Sequence, residues 1–274
     1  RGKYYDRTGA LRDVLQNHVL QLLSYISMDA PGGLRPENIR SEKLRILRNL
    51  TPIVGDDVAK RTVRGQYRAG TIDGAPVKGY KEEIGVAPDS RTEAYVALRT
   101  SIDTWRWSGV PFLLRTGKRM ARRATEVSIL FKRSPLRAPK NVVELDGCEL
   151  DQQRTNVLAF RIQPDEGISI SFLTKRPGFG FGVRPVHLDF DYERTFRMGM
   201  PEAYEHLLLD ALKGYSLLFM RAEEVEAQWT FATPILEAWS DPRAAPPALY
   251  DAGSWGPTEA DALLEGLVNG WRHP

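Results

Sequence analysis

The chain has 274 residues, 42% hydrophobic and 27% charged, with 38 Lys and Arg against 35 Asp and Glu. That is ordinary composition for a soluble globular protein with a sizeable core. A net charge of +3 gives no sign of a nucleic-acid binder, no apolar run approaches the roughly 18 residues of a membrane span, and the single Cys148 excludes an intrachain disulfide. This cysteine usage fits a reducing compartment, and the cytoplasm is the expected location. The opening RGKYYD has neither an initiator Met nor a signal-peptide pattern, so a C-terminal piece of a longer protein is expected.

Asp6 is positioned to cap a first helix that runs to Ser27. Leu11, Val14, Leu15, Val19, Leu22, Leu23 and Ile26 follow the one-face spacing of an amphipathic α-helix. His18 falls near the centre of that stripe at about 100° per residue, which predicts an inward-pointing imidazole. Asp13, five residues earlier, lies about 140° round such a helix and is a poor candidate for orienting the ring. Two readings of His18 stay open: a hydrogen-bonded core histidine, and a general base on the wall of a substrate cleft.

The stretch APGGLRPEN breaks the chain, and Pro36 opens a second helix with Ile39, Leu44, Leu47 and Leu50 on its apolar side. VRGQYRAG reads as a strand, followed by the long loop TIDGAPVKGYKEEIGVAPDS. Ala94, Val96, Leu98 and Ile102 alternate with polar residues, WRWSGVP is a turn, and FLLRTG is another strand. Further alternation appears at Val127/Ile129/Phe131, Leu158/Phe160/Ile162, Ile168/Ile170/Phe172 and Val186/Leu188/Phe190/Tyr192. Helices resume at Glu202–Lys213 and Ala222–Trp239, and a last one starts at Thr258, with Asp261 completing a capping box. Strands joined by loops rather than crossover helices predict an α+β fold: a large, mostly antiparallel sheet with helices packed on one face, read as one domain over residues 1–274. The uncovered face suits a dimer contact.

RTGKRMARR places Arg115, Lys118, Arg119, Arg122 and Arg123 within nine residues, after a strand and a glycine. Such a run is either a solvated turn or a phosphate site; without interleaved aromatics it is a poor single-strand nucleic-acid surface. PGFGFGVRP, with Gly178, Gly180 and Gly182, precedes Pro185 and a strand, so it reads as a bent strand connection rather than a nucleotide loop. His187, His206 and His273 have no second ligand at metal spacing, and no metal site is expected. The six tryptophans read as packing residues.

Several ordered blocks carry a resemblance: RGKYYDRTGALRDVLQNHVLQLL, IDTWRWSGVPFLLRTGKRM, RIQPDEGISI, TKRPG, EAYEHLLLDAL and GSWGPTEADALL. Together they resemble the C-terminal domain of the glucose-6-phosphate dehydrogenase family, without its N-terminal Rossmann domain. The resemblance implies NADP-dependent oxidation of glucose 6-phosphate at C1, with the nucleotide held mainly by the N-terminal domain. It implies His18 as the general base that takes the C1 hydroxyl proton, and Asp13 as a hydrogen-bond partner of the sugar hydroxyls. Lys118, Arg123 and Gln163 become substrate contacts, although many relatives carry lysine at the place of Arg123. The carboxylate that orients His18 is then expected from the N-terminal domain. The resemblance also implies a homodimer or dimer of dimers through the sheet. Animal relatives bind a second, structural NADP with basic side chains; Ala124, Ser128 and Ser171 stand at matching positions while Arg161 is retained, so that site is expected to be missing or weak. The competing reading is a non-catalytic sugar-phosphate-binding or dimerisation module of the same fold, which would have no need for His18, Asp13 and Lys118 together. No activity is expected of the domain alone.

Overall fold

The computed structural model describes residues 2–132, 155–178, 183–197, 203–267 and 269–274. Cys148, Gly180, Gly182 and Glu202 lie outside the described residues. The chain gathers into two compact units, residues 1–122 with 202–265 and residues 123–201 with 266–274.

The first unit begins with α1 (Gly2–Ala10), interrupted at Gly9, whose φ of 73° and ψ of 167° are open to glycine alone. A π-helix (Leu11–Val19) and α2 (Leu20–Ser27) continue it. Asp6 is therefore inside α1 and not its cap. Its carboxylate accepts the Tyr80 and Ser90 hydroxyls and the Ala87 amide, tying the helix to the 80–92 loop. Pro36 opens α3 (Pro36–Arg48) as expected, and a short α4 (Asp56–Arg61) leads into the sheet.

That sheet has the order β10-β1-β4-β5, from β1 (Thr62–Arg68), β4 (Tyr95–Thr100), β5 (Phe112–Gly117) and β10 (Ala248–Asp251). The loop before β4 contains the hairpin β2 (Gly70–Ile72) and β3 (Ala75–Val77). β1 pairs antiparallel with β4 and parallel with β10. The α+β class with mostly antiparallel pairing holds, and the placement of helices on one face is refined. Tyr95, Val96, Ala97 and Leu98 are all fully buried, so both faces of β4 are covered. The run YVAL is apolar at every position, as a strand covered on both sides requires. The π-helix packs on β4 and β5.

Two helices complete this unit, α6 (Ala203–Lys213) and α7 (Ala222–Ser240). The last helix is a 3₁₀ segment (Thr258–Leu264) that follows Pro257, and Thr258 makes no capping bond. Trp105 is fully exposed and is not a packing residue, whereas Trp107 meets Phe112 edge-on and donates to the Ser27 carbonyl.

The second unit is the antiparallel sheet β6-β7-β8-β9, made of β6 (Thr125–Leu130), β7 (Val157–Gln163), β8 (Gly167–Lys175) and β9 (Val183–Asp191). A short α5 (Tyr192–Phe196) ends it, capped by the Asp191 side chain on the Arg194 amide, so Tyr192 belongs to the helix and not to the strand. Hence the strands expected in one large sheet are grouped, among the described residues, as two four-stranded sheets and a hairpin.

One feature of the core runs against the apolar pattern of α3. Lys43 is buried at 1% exposure, its ammonium 3.0 Å from the equally buried Glu224 carboxylate of α7 and 4.3 Å above the Tyr25 ring. Glu224 also accepts the Arg221 amide, closing the start of α7. Desolvating this pair is costly, and removing one partner strands a charge in the core. Lys43→Ala is expected to lower stability by about 3–5 kcal/mol, and the double variant Lys43→Met/Glu224→Leu to recover most of that loss in denaturant unfolding.

Candidate active site

The helix that carries His18 does not have the winding its apolar spacing predicts. Leu20 N–H bonds to the Leu15 carbonyl five residues back, closing Leu11–Val19 as a π-helix. At about 80° per residue instead of about 100°, Leu11, Leu15, Gln16 and Leu20 fall within roughly 40° of one line. Those are the residues buried along this stretch, and Gln16 meets the buried Gln228 of α7. His18 falls about 160° from that line and is exposed. The inward-pointing imidazole expected from α-helical spacing is therefore corrected: it faces out from this unit, where a ligand can reach it.

The same winding corrects the relation of Asp13 to His18. Residues five apart stack on successive turns of a π-helix, so the two lie about 40° apart on one face rather than 140°. Lys118 joins that face from the sheet. Its backbone is held at both ends, its amide donating to the Ala94 carbonyl at 2.9 Å and its carbonyl accepting the Tyr250 hydroxyl at 2.6 Å. Its ammonium lies 3.7 Å from Asp13 Oδ2 and 4.8 Å from the centre of the Tyr5 ring. With Lys118 46% and Asp13 28% exposed, the pair adds at most about 1 kcal/mol to stability; both groups remain available to a ligand. Gly117 is required beside it, since a Cβ there would meet the Tyr95 ring at 2.7 Å and the Met120 sulfur at 2.8 Å.

Beneath this face lies a residue that sequence reasoning missed. Glu93, 5% exposed, accepts the Leu11 amide at 3.0 Å through Oε1 and the Ala10 amide at 2.9 Å through its carbonyl. Burial pushes its carboxyl above the usual carboxylate range; the Leu11 N–H, its own N–H, Arg12 and Arg64 oppose that shift. Tyr5 and Tyr80, which feel its charge, begin a run of five tyrosines in ring contact, in the order Tyr5, Tyr80, Tyr67, Tyr250 and Tyr95. Burial raises the phenol of Tyr5, and then Glu93 and Asp13 raise it further. Tyr67 is pushed up to about 12 by burial and by Glu83. These rings come from positions scattered along the chain, so no local spacing could have announced them.

The basic run does not form one patch. Arg115 reaches the Trp255 carbonyl and ring, Lys118 reaches Asp13, and Arg119 pairs with Glu83 at 3.2 Å. Arg122 is exposed at the end of the first unit. Arg123 and Gln163 belong to the second unit. There the pairing of Thr125 with Gln163 brings them to the same end of the β6–β7 ladder, both exposed. Asp13, His18 and Lys118 thus share one face of the first unit. Among the described residues, no group of three or more His, Cys, Asp or Glu side chains is placed to hold a metal ion.

Comparison with known proteins gives this arrangement a context. The profile described as "Glucose-6-phosphate dehydrogenase, C-terminal domain" matches residues 1–272. The chain belongs to the glucose-6-phosphate dehydrogenase family, as its C-terminal domain. It is 44% identical to the glucose-6-phosphate 1-dehydrogenase of Chlamydia pneumoniae over 272 residues, covering 99% of this chain and 52% of the relative. Against the enzyme of Rhizobium meliloti the identity is 46% over 268 residues, covering 97% of the chain and 52% of the relative. A solved glucose-6-phosphate dehydrogenase in complex with its substrate glucose-6-phosphate superposes with a TM-score of 0.84 at 31% identity, over 100% of this chain and 53% of that one. The Mycobacterium avium enzyme superposes at 0.78 with 35% identity. The chain therefore spans about half the length of the curated relatives it matches.

The buried Glu93 gives this fold a measurable pH dependence. Its native proton affinity is raised, so its stabilising contribution is complete below the usual carboxylate range and is lost as pH rises through the native value. Glutamine keeps the acceptor and cannot ionise. The melting temperature of Glu93→Gln relative to the unsubstituted chain is expected to rise between about pH 4 and pH 7. A difference that is flat or falls over that interval would contradict the reading.

Proposed function

We propose that this chain forms the sugar-phosphate side of a glucose-6-phosphate dehydrogenase that oxidises C1 of glucose 6-phosphate to 6-phosphogluconolactone. The observation that carries the proposal is the meeting of Lys118 with Asp13 on the face of the π-helix that exposes His18. A solved relative at 31% identity is described in complex with glucose-6-phosphate, which supports the substrate. His18 takes the proton from the C1 hydroxyl as the carbonyl forms, the task of a general base within reach of the sugar. NADP+, when bound, supplies the acceptor for the hydride that leaves C1. Asp13 accepts hydrogen bonds from sugar hydroxyls, and Lys118 holds the sugar against the helix by charge-assisted hydrogen bonding. Arg123 and Gln163 are further substrate contacts on this reading.

The nucleotide is assigned to the part of the protein that this chain does not include. Among the described residues, no strand, glycine-rich turn and helix follow one another in the way a dinucleotide pyrophosphate requires. A second, structural NADP is not expected, because Ala124, Ser128 and Ser171 offer no charge; the retained Arg161 donates to the Phe190 carbonyl. A dimer through the β6–β9 sheet is supported by a cross-strand row, Ile129, Leu158, Ile170 and Leu188, whose last two members are 39% and 59% exposed. A cytoplasmic enzyme agrees with the single cysteine.

In the full-length protein, His18→Asn is expected to lower kcat by about 10²- to 10⁴-fold with little change in KM for glucose 6-phosphate. Steady-state kinetics decide this, and undiminished turnover would sink the catalytic role of His18. The chain by itself is expected to show no dehydrogenase activity, since hydride transfer needs the nicotinamide at near-contact distance. Its binding of glucose 6-phosphate is expected to be weak, and micromolar affinity in a calorimetric titration would contradict this.

A further inference from the structure

Two consecutive residues just before β4 each hold one half of the proposed site. Glu93 takes the Ala10 amide with its carbonyl and the Leu11 amide with its carboxylate, two donors at the opening of the π-helix. Ala94 takes the Lys118 amide at 2.9 Å and gives its own amide to Gly65 at 2.8 Å. The carboxylate has little freedom to move: it is buried, and a Cβ on Gly9 would lie 2.3 Å from its Oε1. Gly9, at φ 73°, turns the chain so that the next two amides point at Glu93. The far end of the helix is held independently by the buried Leu20, Leu23 and Ser24 of α2. A helix pinned at both ends has its rotation set by where the first pin stands, and Asp13 and His18 follow that rotation.

We propose that Glu93 is a positioning residue for this site: its carboxylate, bonded to the Leu11 amide, sets the rotation and height of the π-helix that bring Asp13 and His18 to face Lys118. The role rests on the reading of Asp13, His18 and Lys118 as the sugar-binding and proton-transfer groups. Glu93 touches none of the reacting atoms and acts only through the helix. Its effect belongs to the sugar side, because the Ala10 and Leu11 amides it accepts open the π-helix that carries Asp13 and His18.

The test is steady-state kinetics of the full-length enzyme with Glu93→Ala, Glu93→Asp and Glu93→Gln, varying glucose 6-phosphate and NADP+ separately. Glu93→Ala and Glu93→Asp are expected to raise KM for glucose 6-phosphate and to lower kcat, each by about ten-fold, with KM for NADP+ unchanged. Glu93→Gln, which keeps the length and the acceptor, is expected to stay within about two-fold of wild type. A merely structural role lowers the folded fraction and so reduces apparent kcat with both KM values at wild type; that result overturns the proposal. So does a Glu93→Gln enzyme as impaired as Glu93→Ala, or a Glu93→Asp enzyme with wild-type kinetics. If Glu93→Ala does not fold, the Asp and Gln variants decide. His18→Asn and Lys118→Ala run alongside as controls. If both leave kinetics intact, the catalytic reading fails; if they impair the enzyme while Glu93→Asp does not, only the positioning role fails.

Discussion

A carboxylate shut away from water sits at the start of the helix that carries Asp13 and His18, and its hydrogen bond to the Leu11 amide organises what surrounds it. A buried carboxylate needs donors, and the first amides of a helix need acceptors. Each satisfies the other here. The arrangement demands a backbone turn that only glycine makes comfortably, which Gly9 supplies, and it leaves no room for a side chain there. From that anchored start the chain winds with five-residue hydrogen bonding until Leu20. The wider winding, not the amino-acid pattern, decides which side chains meet the core.

Polar burial is a recurring device in the first unit. Lys43 and Glu224 join α3 to α7 through a buried ion pair, and Gln16 meets Gln228 one turn further along α7. Arg64 crosses from β1 to the carbonyls of Trp239 and Ala245, and Gln66 to those of Ser90 and Thr92. Such contacts are costly to desolvate and contribute less to stability than apolar packing, but they tolerate only one register. A sheet and a helix that must agree on where Lys118 meets Asp13 benefit from that intolerance. The second unit is built differently, as a plain antiparallel meander with its apolar rows half exposed.

Much of the architecture was legible in the chain. Alternation located β4 and β6 through β9 to within a few residues, FLLRTG is β5, and Pro36 marked the start of α3. The parallel strand β10, of four residues, was missed because its partner β1 lies some 180 positions away and nothing local distinguishes ALYD from a loop. The Thr258 cap failed because the segment is a 3₁₀ helix following a proline, with tighter bonding than the capping box assumes. The candidate site was legible as residue types: Asp13, His18 and Lys118 were each singled out. Their mutual arrangement was not, because the α-helical period assigned to Leu11–Val19 was the wrong one.

The amino-acid sequence by itself determined the α+β class, the family and the chemical groups available, since these follow from local spacing and from ordered blocks of residues. Tertiary structure alone decided that His18 faces outward and shares a face with Asp13, and that Lys118 joins them. The physical reason is that helical winding depends on how the ends of the helix are held. One end is held by Glu93, a residue 82 positions away from Leu11, whose carboxylate carries no local signal that it caps a helix.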